Sequence, residues 1–600
     1  METTARDRAD RGRASEPHDQ QDYDYRGYSE LSGELREPRQ DAPYRVEFTR
    51  LGDDRPLRTS LLVTLALAVV GGFLVFVMWP SHWPAGAKTT LLSIASAVMT
   101  LNTGLIGLFL LVNVTTIGRA SLAARNPVPV SPKPGSRLAF VTTIVPDREP
   151  LELVRRTLEA ALLIKHSGPL DVWLLDEGGE RCVRQMCEEL GVRHFSRRGI
   201  ERYNRPAGAF KARSKHGNYN AWLDAHGDEY EFMISVDPDH VPLENFAERF
   251  LGYFRDEDVA YVVGPQVYGN FHGFVTKSAE SQQFLFHSLV QRAGNKTRTP
   301  MFVGTNVAVR ISALKGVGGL QDSVTEDIAT GLAIHTARNP RTGRRWCSVY
   351  TPDVIAVGEG PTTFTDYFTQ QYRWSRGTYD LLLTRFWRRA HRLSPRRFVH
   401  YMLLTSYYPT TAIAFVLGVF NGALYMVIGA KGVVVPVDLW LMFYVDAAAL
   451  QAGLYVWNRR HNVSPHELPG SSGAHGMFIS MLSTPVFVSS LGGALTRRNG
   501  GFVVTAKGEA RQRDSIRTFS RHLRWAAISA AILLVTFLGG TPNPWMYVWV
   551  LLTLLICVLP VAIWRLEVYR SRGSRSARRS AAAPVPAPAP NVALREAEAA

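Results

Sequence analysis

Six stretches of about 20 residues with almost no charged side chains constrain this chain more than any other feature. The first two, residues 61–79 and 91–112, precede a long polar block, and the others follow it. Each is long enough to cross roughly 30 Å of hydrocarbon as a helix. A backbone inside a bilayer must satisfy its own hydrogen bonds, which favours helices for such segments. The sequence therefore predicts a membrane protein with about six spans around one large soluble domain.

Four of these spans are predicted after the soluble block. They cover residues 400–429, 437–457, 525–540 and 545–564. A further apolar stretch, residues 477–495, is rich in Ser, Gly and Pro, and we expect it to lie along the membrane interface as a helix. An even number of spans places both termini and the soluble block on one side of the membrane. The Arg-rich flanks mark that side as the cytoplasmic face of the plasma membrane.

The formal net charge of +16 raises the question of nucleic-acid binding. However, the basic residues cluster beside the apolar stretches, as at Arg459-Arg460, Arg497-Arg498 and residues 565–579. Lys and Arg collect on the cytoplasmic flanks of membrane spans and contact anionic lipids there. We therefore interpret the charge as membrane topology and contact with membrane lipids, and we expect no nucleic-acid partner.

Composition divides the chain into segments. Residues 1–57 and the basic, then Ala/Pro-rich residues 567–600 are predicted to be disordered cytoplasmic tails. The segments between them are two transmembrane helices in 58–117, a catalytic-type soluble domain with interface helices in 136–395, two transmembrane helices in 396–460, an interfacial helix and a loop in 461–522, and two transmembrane helices in 523–566.

Strand-like and helix-like runs alternate in the soluble block. Residues 138–145, 171–175 and 231–236 are predicted to be short buried strands, and residues 151–163 an amphipathic helix. This alternation is typical of an α/β domain with a mainly parallel sheet. Because ligands of such sheets bind beyond the carboxyl ends of the strands, the acidic clusters that follow two of these strands are candidate site residues.

The first candidate is the acidic pair in Asp237-Pro-Asp239-His240, directly after a predicted strand. Two carboxylates one residue apart can both reach a hard divalent cation through oxygen. Such a cation neutralises a diphosphate and the charge that grows on a nucleotide leaving group. A solvated turn explains the pair equally well, so the pattern alone leaves both interpretations open.

The second candidate combines Asp176-Glu177 after a strand with Lys215 and Asn218 further along the chain. The two carboxylates could accept hydrogen bonds from a ribose or from a base N–H, and the lysine and the amide could contact the nucleotide. A capped turn before the next helix is the structural alternative for Asp176-Glu177.

Asp327, in Thr325-Glu326-Asp327, precedes an apolar helical run. The structural interpretation is helix capping, with Thr325 as N-cap and acidic residues in the first turn. The functional interpretation makes Asp327 a general base that removes a proton from a sugar hydroxyl. The two roles do not exclude each other.

Gln370, Arg373 and Trp374 lie in a basic, aromatic segment, residues 364–387, just before a membrane span. An interfacial amphipathic helix explains part of this segment. Arginine also suits bidentate contacts to a diphosphate, and an indole face stacks well on a sugar ring. The segment is therefore both a membrane-interface helix and a candidate substrate contact.

These pieces occur in the order D, DxD, TED, QxxRW and FxVTxKG, the last being Phe502-Val-Val-Thr505-Ala-Lys507-Gly508 in a loop that composition alone leaves unremarkable. In this order and with these flanking spans, the sequence resembles the processive family 2 glycosyltransferases, and within them the bacterial and plant cellulose synthases. The resemblance covers roughly residues 60–566. The FxVTxKG loop is the most telling element of this resemblance, because single-transfer enzymes of the family lack that motif.

The resemblance implies a GT-A α/β domain, inserted in a transmembrane helical bundle, that binds a UDP-sugar with Mg²⁺ (or Mn²⁺). Asp176 would contact the nucleotide, with Lys215 near it. Asp237 and Asp239 would hold the metal on the diphosphate, with His240 close by.

The remaining motifs have implied roles in the transfer itself. Asp327 would deprotonate the acceptor hydroxyl for an inverting single displacement. Arg373 would stabilise the departing UDP, and Trp374 would stack on the acceptor sugar. The FxVTxKG loop would close over the bound donor.

The sequence also departs from the family pattern. Residues 145–150, VPDREP, replace a VPTYNE-like segment, and Arg148 could cover the base by stacking. The first acidic pair is Asp-Glu instead of Asp-Asp, and two N-terminal spans stand where the bacterial type has four. We recognise no PilZ-type domain after the last span, so regulation by cyclic di-GMP through this chain is not expected.

The leading hypothesis is a processive β-glycan synthase that uses UDP-glucose to make β-1,4-glucan and moves the polymer across the membrane. Synthesis of mannan, mixed-linkage glucan, chitin or hyaluronan stays open, as does an extracytoplasmic subunit that guides or modifies the polymer. The alternatives outside this class are a non-processive transferase acting on a lipid and a catalytically silent membrane scaffold or export subunit.

Overall fold

The computed structural model describes residues 25–39, 41–51, 56–86, 89–459, 461, 463–468, 470–497, 513–539 and 544–581. The predicted loop residues Phe502, Thr505 and Lys507 lie outside these ranges, as do residues 1–24 and 582–600.

Residues 25–39 and 41–51 pack on the α/β domain. Strand β1 (Phe48–Arg50) pairs antiparallel with β2 (Arg125–Pro127), and a single helical turn forms at Arg26–Ser29. The expectation of a disordered tail is therefore wrong for residues 25–39 and 41–51. Its polar residues find partners far along the chain, such as Asp256 for Arg45, and composition does not reveal such partners.

Two long apolar helices follow β1, and they are α1 (Pro56–Met78) and α2 (Thr90–Ala123). Thr89 caps α2 by accepting a hydrogen bond from the Leu92 N–H at 3.3 Å. Helices α1 and α2 form the first membrane hairpin. The end of α2 leads directly into β2, which joins this hairpin to the α/β domain.

The α/β domain is built on a seven-stranded mixed sheet in the order β10-β8-β9-β6-β3-β4-β5. Its strands, with the β7–β11 pair, are β3 (Leu138–Ile144), β4 (Leu170–Asp176), β5 (Arg193–Phe195), β6 (Phe232–Ser235), β7 (His240–Pro242), β8 (Val259–Val263), β9 (Val307–Arg310), β10 (Cys347–Tyr350) and β11 (Ala356–Gly358). All neighbours in the large sheet are parallel except β9, which runs antiparallel to β6 and β8. All seven residues of β3 are buried, as expected of a central strand covered on both faces.

Helices cover both faces of the sheet and connect it to the membrane part. They are α3 (Leu151–Leu162), α4 (Arg181–Leu190), α5 (Lys215–His226), α6 (Phe246–Leu251), α7 (Gly273–Leu285), α8 (Gln291–Thr297), α9 (Ile311–Lys315), α10 (Glu326–Thr336), α11 (Phe364–Thr384) and α12 (Phe386–Ala390). Two hydrophobic clusters, one on each face of β3, form the core of the domain.

The chain then returns to long apolar helices. They are α13 (Pro395–Met426), α14 (Val437–Arg459), α15 (Ala474–Leu482), α16 (Thr484–Leu495), α17 (Ser520–Gly539) and α18 (Pro544–Ala581). Four of these, α13, α14, α17 and α18, together with α1 and α2, are the six helices in the described residues that are long and apolar enough to span a membrane.

The predicted interface helix at residues 477–495 is two helices, α15 and α16, bent by 44°. The break lies at Ser483, and Pro485 occupies the first turn of α16. A proline has no N–H to continue the preceding helix but is well suited to start a new one, which explains the bend. The pair packs against α7 and α11.

Candidate active site

A cavity of about 850 Å³ opens at the edge of the sheet where β3, β4 and β6 end. Its walls come from the loops after these strands, the starts of α5 and α10, and one face of α11. The predicted site residues that line it are Glu177, Lys215, Asn218, Asp237, Asp239, His240, Asp327, Gln370, Arg373 and Trp374. Motifs far apart in the sequence therefore meet around one space.

Asp176 is a predicted site residue that the structure turns away from this cavity. Its side chain is fully buried at the end of β4. Its two carboxylate oxygens accept hydrogen bonds from the N–H groups of Gly178 and Glu180, both at 2.8 Å, and from the His194 imidazole at 3.1 Å. The carboxylate therefore fixes the turn after β4, and the expected direct contact with a nucleotide does not fit this arrangement.

Glu177, the next residue, does line the cavity, but it is held by an arginine. Arg197 donates from Nε to Oε2 at 3.0 Å and from Nη2 to Oε1 at 2.8 Å. The Arg213 N–H also donates to Oε1, at 3.0 Å. This bidentate pair ties the turn after β4 to the loop that leads into α5, so Glu177 shapes the wall of the cavity between them.

Asp237, Asp239 and His240 form a compact cluster between β6 and β7. One ligand atom from each lies within 4.8 Å of the others. Nδ1 of His240 is 3.2 Å from Oδ1 of Asp239, and Nε2 of His240 is buried without a hydrogen-bond partner among the described residues. Two carboxylates and an imidazole are suitable ligands for a divalent cation of the Mg²⁺ or Mn²⁺ type.

Gly358 makes room for this cluster. It pairs with His240 across the β7–β11 ladder, and a Cβ built on Gly358 would lie 2.4 Å from the imidazole. A side chain at this position would push the imidazole away from Asp239. The glycine therefore belongs to the candidate metal site, although nothing in the sequence around it signals this role.

Lys215 begins α5 and points at the acidic cluster. Its Nζ donates to Oδ1 of Asp237 at 2.5 Å and to the Gly304 carbonyl at 2.8 Å. Although burial lowers the pKa of the Lys215 ammonium, the adjacent Asp237 raises it, and the net shift is upward from the usual value. The lysine therefore stays charged and neutralises part of the negative charge in the cavity.

Asp327 lies in the first turn of α10 and faces the cavity. Its Oδ1 accepts a hydrogen bond from the Ile328 N–H at 2.7 Å. Burial, and then the neighbouring Glu326, raise the pKa of Asp327 to about 7. Thr325 occupies the predicted N-cap position, but its hydroxyl does not make the predicted capping hydrogen bond.

Helix α11 presents Gln370, Arg373 and Trp374 to the cavity. Gln370 donates to the Tyr268 hydroxyl at 3.4 Å. Gly377, one turn beyond Arg373, packs against Thr325, the residue before α10. A Cβ added to Gly377 would lie 2.2 Å from the Thr325 side chain. This close approach fixes α11 where Arg373 and Trp374 line the same cavity as Asp327, and no sequence pattern reveals it.

Other lining residues were not predicted. Tyr268, Arg198, Arg213 and Glu359 contribute polar groups to the cavity. They lie in irregular loops, where no periodicity or motif marks them. Arg148, the candidate for stacking on a base, also lines the cavity.

The sequence of this chain is similar to those of known glycosyltransferases. Residues 232–456 match the family model described as glycosyl transferase family group 2. The cellulose synthase catalytic subunit (UDP-forming) of Xanthomonas axonopodis pv. citri (strain 306) is 29% identical over 266 residues, covering 42% of this chain and 33% of that protein. Cellulose synthase 2 of Novacetimonas hansenii is 27% identical over 336 residues, covering 54% of this chain and 19% of that protein. The chain thus spans a third or less of the length of these two relatives.

Among solved structures, the mannosyltransferase PcManGT from Pyrobaculum calidifontis, in complex with GDP-Man and Mn²⁺, has a TM-score of 0.44 and 16% identity, covering 67% of this chain and 100% of that one. The expected fold class is confirmed by the family match, the mixed sheet and the apolar helices, as a GT-A α/β domain within a bundle of about six helices.

Proposed function

We propose that this chain, which is similar to cellulose synthase catalytic subunits and carries a family 2 glycosyltransferase region, extends a polysaccharide from a nucleotide-activated sugar. The observation that carries the proposal is the meeting of the Asp237–Asp239–His240 cluster, Asp327 and the Arg373-Trp374 pair around one cavity. The names of the relatives support UDP-glucose as donor and β-1,4-glucan as product. Other β-glycans, namely mannan, mixed-linkage glucan, chitin and hyaluronan, are the alternatives within the same mechanism.

The acidic cluster is proposed to receive the diphosphate of the donor. Asp237, Asp239 and His240 would hold Mg²⁺ or Mn²⁺, which neutralises the diphosphate charge when bound. Lys215 supplies a fixed positive charge beside Asp237. Asn218 and Glu177, on the nucleotide side, would orient the rest of the donor.

The transfer is proposed to be a single displacement with inversion. Asp327 accepts the proton of the acceptor hydroxyl while that oxygen forms a bond to the anomeric carbon of the donor sugar. The bond from that carbon to the diphosphate oxygen breaks at the same time, and the nucleoside diphosphate leaves with the electron pair. Arg373 stabilises the charge on the leaving group, and Trp374 stacks on the acceptor sugar.

A retained polymer needs a route away from this cavity. Helix α11 lines the cavity and leads through α12 to α13, and four of the six apolar helices follow the α/β domain along the chain. We propose that the polymer crosses the plasma membrane among these helices, with the α/β domain in the cytoplasm. The scaffold alternative is less well supported, since the carboxylates that the chemistry needs are present and assembled.

The experiment offers the purified full chain, reconstituted in vesicles, a panel of radiolabelled donors with Mg²⁺ or Mn²⁺. Polymer from UDP-glucose that an endo-β-1,4-glucanase digests is the expected result. Polymer from GDP-mannose or UDP-N-acetylglucosamine instead would keep the mechanism and replace the sugar. Sugar transferred only to lipid would contradict polymer synthesis.

A further inference from the structure

A second cavity, of about 840 Å³, lies between the first membrane helices and the α/β domain. Four cationic side chains from four elements line it, and they are Arg119 of α2, Arg125 of β2, Lys296 of α8 and Arg396 of α13. Val63 and Leu67 of α1 form an apolar wall opposite them. This cavity shares no lining residue with the candidate active site.

The four cations have no acidic partner within the described part of the chain, and no carboxylate lines the cavity. Arg119 contacts an imidazole instead, with Nη1 at 3.2 Å from Nδ1 of His400. Nε of Arg125 is buried, and no described atom accepts its hydrogen bond. Unpaired positive charge concentrated in a recess attracts an anion.

Mutual repulsion of these charges is visible at Lys296. Partial loss of hydration, and then the positive charges of Arg125, Arg119, Arg50 and Arg396, lower the pKa of the exposed Lys296 ammonium. The side chains are therefore close enough to destabilise one another when all are charged. An anion bound among them would remove that cost.

The position of the cavity indicates where the anion comes from. Arg119 lies just before the last turn of α2, and Arg396 lies in the first turn of α13. Both residues lie near the ends of their spans that adjoin the α/β domain, and phospholipid headgroups lie at the ends of a span. The apolar side chain of Val399, 45% exposed, continues the cavity wall along α13 toward the hydrocarbon.

We propose that this cavity binds the headgroup of an anionic phospholipid, with its phosphate among Arg119, Arg125, Lys296 and Arg396 and its acyl chains along α1 and α13. The bound lipid joins the first membrane hairpin and α13 to α8 of the α/β domain. The site does not depend on the proposed glycosyltransferase activity.

The test is native mass spectrometry of the full chain in phosphate-free detergent, titrated with palmitoyl-oleoyl-phosphatidylglycerol and, separately, with phosphatidylcholine. Wild-type protein should retain one phosphatidylglycerol in preference to phosphatidylcholine. The double variant Lys296→Gln/Arg396→Gln should weaken this binding about thirtyfold, since each cation near an anionic lipid contributes about 1 kcal/mol. Both side chains are exposed, so the change should leave the fold intact.

The matched control is Arg388→Gln/Arg392→Gln, which removes two exposed cations on and just after α12 that do not line the cavity. It should bind phosphatidylglycerol as the wild type does. Equal binding by the two double variants would overturn the proposal. Displacement of the lipid by an equal concentration of inorganic phosphate would also overturn it, since the site would then recognise free phosphate.

Discussion

At the scale of single residues, Asp327 shows how burial changes a carboxyl group into a base suited to neutral pH. Its pKa is raised from 3.8 to about 7 by burial first and by Glu326 next. A base with a pKa near the working pH combines an available ionised form with a strong tendency to take a proton. The same residue with an ordinary pKa would be a much weaker base.

This shift predicts the pH dependence of the reaction. Asp327 accepts a proton only when ionised, so kcat/KM should fall about tenfold per pH unit as the pH drops below about 7. Glu326→Gln removes the neighbouring negative charge, lowers the pKa of Asp327 and should move this limb to lower pH. The measurement is kcat/KM for polymer formation from pH 5.5 to 8.5. A limb that stays in place in Glu326→Gln would contradict the assignment.

At the scale of elements, the contact between α11 and the segment before α10 sets the geometry of the cavity. Gly377 permits this contact, since a Cβ there would lie 2.2 Å from Thr325. Gly377→Ala should therefore displace α11 together with Arg373 and Trp374. It should lower kcat by about five- to 150-fold if the overpacking cost of about 1–3 kcal/mol falls on the transition state.

The control for this substitution is Gly492→Ala on α16, where nothing lies within 4 Å of the added Cβ. It should keep nearly wild-type kcat, and circular dichroism should show both variants to be equally helical. Unchanged kcat in Gly377→Ala would mean that the close packing of α11 does not control the positions of Arg373 and Trp374.

The elements also show what the sequence could and could not predict. The spans and the strands at β3, β4 and β6 follow from apolar runs of characteristic length, and the sheet topology explains why their terminal acidic residues come near one cavity. The inward turn of Asp176 could not be predicted, because it depends on His194 and on two backbone amides. The roles of Gly358 and Gly377 depend on contacts that only the folded chain creates.

At the scale of the whole molecule, residues 25–51 join the start of the chain to the far edge of the sheet. Arg45 contacts Asp256 at 2.9 Å and Asp258 at 2.6 Å, and Arg298 makes a second ion pair with Asp256. Asp256 is fully buried. A network of this kind is sensitive to the loss of one partner, because the remaining charges stay desolvated.

Asp256→Ala should therefore lower the free energy of unfolding by about 3 kcal/mol. The control is the exposed ion pair between Glu201 and Arg205. Glu201→Ala should change the free energy of unfolding little, because solvent screens that pair. Thermal unfolding of the full chain in detergent measures both variants. Equal unfolding temperatures would show that the network contributes no more than a surface ion pair.

We propose that one cavity in this membrane protein performs glycosyl transfer with Asp327 as its base. The most direct test compares polymer formation by wild type and Asp327→Asn, with Asp228→Asn as the same chemical change at a residue outside the cavity. We predict that Asp327→Asn lowers kcat by about 10²–10⁴-fold while donor binding and unfolding temperature stay unchanged, and that Asp228→Asn behaves as the wild type. Polymer formation by Asp327→Asn at the wild-type rate would contradict the account.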